Sequence, residues 1–392
     1  MSDQFITFGA PHITDHEISE VLDCMSTGWL GTGPRVEHFE TRFSAYKKVN
    51  RSLVAAVNSC TAALHVSLIA ANIGPGDEVI TTPLTFCATV NAIIHAGATP
   101  VLADVNPHTF NIELNEIKKM VTAKTKAVVP VHFAGRPCEI EEICEFSKLR
   151  GLTVIEDCAH AIETETNGKK AGTFGDFGCF SFYVTKNIAT GEGGMVIGKN
   201  QDNIDKVKRL ALHGMSKDAW NRFGDDGYKH YQVVECGFKY NMMDIQAAIG
   251  IPQLERVDTN WSRRENIWQR YQAAFENLPI TRPLEPEVGT RHGYHLYTLL
   301  IDESRCGIDR DEILQRMTKL GVGVGVHYMS IPEHPFYQQK FKWNSNDYPN
   351  AKKIGQQTVS IPISPKLSDE EVAKVIHAVS RSLDHASYDR AA

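Results

Sequence analysis

Cys179-Phe180-Ser181-Phe182-Tyr183-Val184-Thr185-Lys186-Asn187, followed closely by Gly191-Glu192-Gly193-Gly194, is the stretch on which the reading of this chain turns. An apolar, aromatic strand here delivers one lysine to the edge of a glycine-rich turn. Most lysines are solvated surface groups. A partly desolvated one deprotonates more readily, and its neutral amine can form a Schiff base with a carbonyl. Downstream, the spacing predicts a strand over 195–197 and a basic helix over 202–212. Upstream, short continuous apolar runs predict strands over 53–57, 78–81, 99–103, 127–131 and 153–155, with helical patterns between them. Such runs suit parallel strands covered on both faces, so the first half reads as repeated βαβ units.

The rest of the chain changes rhythm. A long helical pattern starts at Asp244 and is interrupted by Pro252, where a kink or break is expected because proline is disfavoured in a helix interior by ~3 kcal/mol. Strands are expected over 294–301 and 322–327, and helices over 311–320 and 369–383. This order resembles an α+β layer. The expected division is a large domain over 1–255 and a small C-terminal domain over 256–392.

The chain has 392 residues, 42% of them apolar and 22% charged, which suits a soluble globular protein able to bury a large core. Its formal net charge of −6 argues against a general nucleic-acid or anionic-membrane binder. No apolar stretch approaches the ~18–20 residues that span a bilayer. The start, Met1-Ser2-Asp3-Gln4-Phe5, lacks the basic and apolar regions of a signal peptide, so a cytoplasmic location is expected. Nine scattered cysteines with no Cys-x-x-Cys pair imply neither a disulfide framework nor a zinc ribbon.

Common phosphate fingerprints fail. No Gly-x-Gly-x-x-Gly joins a strand to a helix, which leaves a nicotinamide site without support. Gly193 to Asn200 approaches a P-loop, but Asn200 stands where a magnesium-binding hydroxyl belongs. His292 and His295 lack a metal-site partner and read as ordinary packing histidines.

Three further pieces accompany Lys186. Asn58-Ser59-Cys60-Thr61 leads from a strand into a helix, whose free N–H groups and dipole suit a phosphate, although Asn and Ser also favour a plain N-cap. Glu156-Asp157 closes an apolar strand, where an aspartate can face a protonated pyridine nitrogen or cap the next helix. Thr85-Phe86 offers either an aromatic plate for a ring or an ordinary core residue.

In order, Ser59-x-Thr61-Ala62-Ala63-Leu64, Thr85-Phe86, Glu156-Asp157-x-Ala159-His160, Ser181-Phe182-x-x-x-Lys186-Asn187 and Lys239-Tyr240-Asn241-Met242-x-Asp244 closely resemble one family. It is the DegT/DnrJ/EryC1/StrS family of pyridoxal-phosphate-dependent sugar aminotransferases. The likeness runs from Gly28-Trp29-Leu30-Gly31-Thr32-Gly33-Pro34 to Gly323-Val324-Gly325-Val326-His327-Tyr328. It implies the α/β aspartate-aminotransferase fold, with a large, mostly parallel sheet domain and a smaller α+β C-terminal domain. It also implies pyridoxal 5'-phosphate bound as a Schiff base to Lys186, which then moves protons in transamination. Asp157 would pair with the pyridine N–H, Phe86 would stack on the ring, and His160 would lie near its phenolic oxygen. Backbone amides of Cys60 and Thr61 and the Ser181 hydroxyl would hold the phosphate. Asn241 would reach that phosphate from a neighbouring subunit, which requires a homodimer with shared active sites.

Some family members are dehydratases with histidine in place of the Schiff-base lysine, so Lys186 favours transamination. The implied reaction takes an amino group from L-glutamate to a keto or aldehyde sugar for lipopolysaccharide or other envelope polysaccharide. The pattern looks most like aminotransferases of a UDP-4-keto-pentose. A free keto-sugar acid such as 8-oxo-3-deoxy-octulosonate, giving its 8-amino form, is the alternative, and a non-catalytic pyridoxal-phosphate-binding regulator is the alternative of another class. Thr32, His213, His327 and Tyr328 are the candidate substrate contacts, with Arg35, Arg136 and Arg222 as candidate anion contacts.

Overall fold

In the computed structural model, which describes residues 5–216 and 231–384, the apolar runs of the first half form strands of one sheet. In chain order the strands are β1 (Val54–Val57), β2 (Glu78–Thr81), β3 (Thr99–Leu102), β4 (Thr125–Val129), β5 (Thr153–Asp157), β6 (Glu165–Thr166) and β7 (Lys169–Lys170). They continue with β8 (Phe177–Ser181), β9 (Gly194–Gly198), β10 (Thr290–Arg291), β11 (Tyr297–Leu300) and β12 (Thr358–Ile361). Seven strands pair in the order β1-β9-β8-β5-β4-β2-β3. All run parallel except β9, which is antiparallel to both its neighbours.

The continuous apolar runs follow from burial on both faces. Val79, Ala127, Val129 and Val196 pack into a cluster with helices Cys60–Ala70, Cys87–His95 and Gln201–Ala211. Their strand neighbours Ile80 and Val128 face a second cluster, beside Ile117 and Ile143. Met195 and Ile197 face a third, with helices Pro34–Lys47 and Asp244–Glu255. Adjacent residues of a strand point to opposite faces, so both parities must be apolar when both faces are covered.

Three expectations about the second half need correction. The helix does not break at Pro252 but runs through it to Glu255 and turns at Arg256 before helix Val257–Ala274. Ile251, Pro252 and Leu254 are all buried, and burial of such side chains, worth ~1.5–3 kcal/mol each, offsets the ~3 kcal/mol proline penalty. The segment 322–327 is not a strand: Val322 and Gly325 make only isolated bridges, to Ile6 and Ser360. Gly323 lets the backbone pass close to the N-terminal segment, since a Cβ there would meet the Ile6 oxygen at 3.0 Å. The strand expected over 294–301 shrinks to β11, paired with β12.

Trp268 and Tyr271 of helix Val257–Ala274 pack with Tyr297, Val359 and Val375 in a separate cluster, which also takes in Ile6. We propose a division of the chain at the Arg256 turn into units of 1–255 and 256–392, with the segment around Ile6 crossing over to the second unit.

Candidate active site

Because β1, β5 and β8 are parallel, their carboxyl ends open on one edge of the sheet, and the following residues converge there. A cavity of about 630 Å³ lies at this edge, and Cys60, Thr61, Phe86, Asp157, His160, Ser181, Lys186, His327 and Tyr328 all line it. Besides Lys186, eight of the eleven proposed site positions line it: six lie at or after the carboxyl ends of parallel strands, and His327 and Tyr328 come from the C-terminal part.

Lys186 is half-buried, and its burial pulls the amine down to about 8 from the usual lysine value, against the opposing pull of Cys60 and Asp157. Asp157 ends β5 and is buried. Its Oδ2 accepts from the Thr89 hydroxyl at 2.8 Å, and its Oδ1 accepts from the Ala159 N–H at 3.1 Å. Thr85 and Thr89 hydroxyls lie 2.8 Å apart. Thr89 spends its proton on the carboxylate, so Thr85 donates to Thr89 and the two threonines form one relay. Burial raises the Asp157 carboxyl above its ordinary value, and the Ala159 and Thr89 bonds oppose that rise. A cation beside it would therefore be strongly attracted.

Glu156, next in sequence, points to the other side of the sheet. It accepts from Gly172, Phe174 and Gly175 N–H groups and pairs with His132 at 3.1 Å. These bonds, His132 first, hold its carboxyl below the usual range despite burial. His132, Glu156 and Cys158 lie close enough to hold a metal, but the carboxylate is already satisfied by backbone and histidine.

The start of helix Cys60–Ala70 is built as an anion cradle. Ser59 caps it by accepting from the Ala62 N–H, and the Ala63 N–H bonds the Ser59 carbonyl. Among the described residues this leaves the Cys60 and Thr61 N–H groups without an acceptor. Gly194 of β9 lies directly beneath: a Cβ there would meet the Ser59 carbonyl carbon at 2.5 Å and the Cys60 nitrogen at 2.9 Å. Phe86 precedes helix Cys87–His95 and is 58% exposed, its ring 6.0 Å from that of Tyr328.

The remaining positions fall elsewhere. Asn241 and Thr32 do not line the cavity of their own chain; the Asn241 amide donates to the Thr32 hydroxyl at 2.7 Å. His213 bonds the Phe238 carbonyl through its N–H, at the border of the described residues, and does not line the cavity. Arg35 pairs with Asp23, and Arg136 is committed to Glu287 and the carbonyls of Leu284 and Glu285. Neither guanidinium is free for a substrate anion. Arg222 lies outside the described residues.

Several participants had no separate signal in the sequence. Asn187 donates to Glu163 and to the Gly293 carbonyl, both at 2.8 Å, directly after the lysine. His295 Nδ1 lies 3.0 Å from Asn187 Oδ1, and its ring lies 4.3 Å from that of His160. Arg264 sits 3.5 Å from Glu163 and ties helix Val257–Ala274 to the lysine turn. The motif Lys186-Asn187 marked one of them; the others come from distant segments.

The sequence profile of the DegT/DnrJ/EryC1/StrS aminotransferase family matches residues 11–380. The chain belongs to that family. It is 46% identical over 377 residues to the spore coat polysaccharide biosynthesis protein SpsC of Bacillus subtilis, covering 96% of each chain. Among solved structures, the putative sugar aminotransferase Spr1654 of Streptococcus pneumoniae in its PMP form is 31% identical, with a TM-score of 0.89 over 96% of this chain and 99% of that one. PseC of Helicobacter pylori, an aminotransferase involved in pseudoaminic acid biosynthesis, is 28% identical with a TM-score of 0.89, covering 97% and 99%.

This member of the DegT/DnrJ/EryC1/StrS family is therefore a pyridoxal-phosphate-dependent sugar aminotransferase of the aspartate-aminotransferase fold. Its donor set fits the cofactor. Unpaired N–H groups meet a phosphate, a buried carboxylate meets a pyridinium, and a lysine with a depressed proton affinity meets an aldehyde.

Proposed function

We propose that this aminotransferase moves an amino group from L-glutamate to the carbonyl of a nucleotide-linked 4-keto sugar, in the cytoplasm, supplying an amino sugar for envelope polysaccharide or lipopolysaccharide. One observation carries the catalytic part. The depressed lysine and the buried aspartate face the same cavity, beside a helix start with open N–H groups. The bound cofactor supplies an electron sink for the substrate carbon from which a proton is removed.

The residues have distinct tasks. Lys186 binds the cofactor and, when released, carries a proton to and from the reacting carbon, using a neutral amine that burial keeps within reach. Asp157 holds the ring nitrogen protonated, and the Thr85-Thr89 relay and the Ala159 N–H fix its two oxygens. Cys60 and Thr61 amides and the Ser181 hydroxyl bind the phosphate. Phe86 covers one ring face, while His160 lies toward the phenolic edge. Asn241 serves the neighbouring subunit's phosphate in a homodimer. His327 and Tyr328 are at the cavity and suit substrate contacts; Thr32 and His213 are placed to act only if a second subunit closes over them.

A nucleotide-linked sugar is preferred to a free octulosonate on the likeness of the sequence motifs. Charge does not separate them: a carboxylate and a diphosphate both need cations, and besides Lys186 the cavity's one arginine among the described residues, Arg264, pairs with Glu163. SpsC's role in spore coat polysaccharide biosynthesis supports the polysaccharide destination. The test is to incubate the pyridoxamine form with a panel of keto-sugars and to titrate UDP against the productive one. Competition by UDP is expected; turnover of a keto-octulosonate with indifference to UDP would overturn the substrate assignment.

A further inference from the structure

Two bonds fix the polarity of His160. The Ala134 backbone N–H, which can only donate, reaches His160 Nδ1 at 3.2 Å. Nδ1 is therefore the acceptor. Burial, with Lys186 and His327 adding to it, lowers the imidazole well below its usual value, so the ring is neutral and carries its single proton on Nε2. That nitrogen lies 3.1 Å from the Tyr328 hydroxyl, so His160 donates and the phenol oxygen accepts.

Tyr328 is thereby left with one proton and no acceptor for it on the histidine side. Its ring lines the cavity beside Phe86 and His160. No other hydrogen bond to its hydroxyl occurs among the described residues. The titratable groups around it are Lys186, Asp157, Cys87, His295 and His327. None of them reaches its hydroxyl by a hydrogen bond, so the phenol proton points into the cavity.

The cofactor ring can be oriented from its pinned substituents. Asp157 takes the ring nitrogen, Lys186 the aldehyde carbon, and the helix start at Cys60 the phosphate arm. The edge left over carries the phenolic oxygen, and the lining left over is His160 and Tyr328. We infer that Tyr328, held as an obligate donor by His160, makes the direct hydrogen bond to the phenolic oxygen of bound pyridoxal phosphate, with His160 a positioning residue behind it. This rests on the reading of the cavity as the cofactor site.

Such a bond stabilises negative charge on the phenolic oxygen and weakens that oxygen's hold on the neighbouring Schiff-base proton. The pH at which the visible band of the bound cofactor changes should therefore be lower with the hydroxyl than without it. The experiment titrates that band in the full-length holoenzyme, without amino donor, for the wild type and for Y328F, H160Q and H160L. Y328F should raise the midpoint by about one unit, a tenfold change in proton affinity, since hydrogen bonds to charged groups are the stronger kind. H160Q should stay near wild type, because a glutamine amide accepts from Ala134 and donates to Tyr328 as the histidine does. H160L should shift in the same direction as Y328F, and the double variant Y328F/H160L no further than Y328F alone. An unmoved midpoint in Y328F overturns the inference, as does an H160Q shift as large as that of Y328F. A wild-type protein that takes up pyridoxal phosphate without any visible band would instead overturn the cofactor reading itself.

Discussion

At Lys186, burial makes the amine available as a nucleophile closer to neutral pH than an exposed lysine would be. Its proton affinity is lowered to about 8, so the neutral fraction grows as pH rises through that value. The rate at which cofactor-free enzyme captures pyridoxal phosphate should rise with pH and level off above about 8; a flat rate between pH 6 and 9 would separate capture from this amine. Borohydride should then fix the cofactor to Lys186 and to no other lysine, as peptide mapping would show. Asp157→Asn should still bind cofactor through an amide hydrogen bond, yet transaminate on the order of 10²-fold more slowly, because an amide cannot hold the ring nitrogen protonated. Near wild-type single-turnover rates in this variant would reduce Asp157 to a partner for Thr89 and Ala159. Asp157 was readable because it closes an apolar strand, and Lys186 because it follows one by five residues, and strand ends are where α/β sheets present side chains to ligands. Thr89 gave no such sign, since it reaches Asp157 from the first turn of a helix 68 positions away in the chain.

Elements place those residues, and the closest tolerance lies between β9 and the helix Cys60–Ala70. Gly194 supports the first turn of that helix so closely that any side chain must displace backbone. Gly194→Ala should weaken pyridoxal-phosphate binding by tenfold or more while costing ~1–3 kcal/mol of stability, the usual range for overpacking. Gly74→Ala is the control, since its Cβ would meet nothing nearer than the Ala96 oxygen at 3.8 Å. Equal cofactor affinities in the two variants, read by fluorescence titration, would mean that the helix start is not the phosphate cradle. The strands of the large sheet were legible from apolar runs because both of their faces are covered, which makes hydrophobicity continuous. The C-terminal part was harder to read. Around Val322 the backbone is held by crossings to Ile6 and Ser360, contacts remote in sequence that no local pattern encodes. The break considered at Pro252 falls instead at Arg256, because the burial of Pro252 and its neighbours outweighs its local penalty.

For the molecule as a whole, a single chain gathers most of the site but leaves Asn241 outside its own cavity, bonded to Thr32. Around it Trp29, Leu30 and Met243 stand exposed, as do Phe86 and Tyr183 at the cavity mouth, an unusual number of large apolar groups to leave in water near a catalytic centre. A second copy packed over this surface would cover them and could carry Asn241 to the phosphate of the facing site. In a two-fold dimer the relation is mutual, so each site would combine one chain's Lys186 with the other chain's Asn241. The arrangement is tested by mixing Lys186→Ala chains with Asn241→Asp chains, each inactive as a homodimer. Random exchange makes half of the dimers hybrids, and each hybrid has one site with both wild-type residues and one with neither. Activity should therefore return to roughly a quarter of the wild-type level per site, the fraction that two-fold symmetry dictates. The recovery should follow subunit exchange in time, measured independently by energy transfer between labelled chains. Complete exchange with no recovered activity would place Asn241 in the service of its own chain. The hybrids would then hold one chain carrying Asn241 without Lys186 and one carrying Lys186 without a working Asn241, and neither could turn over.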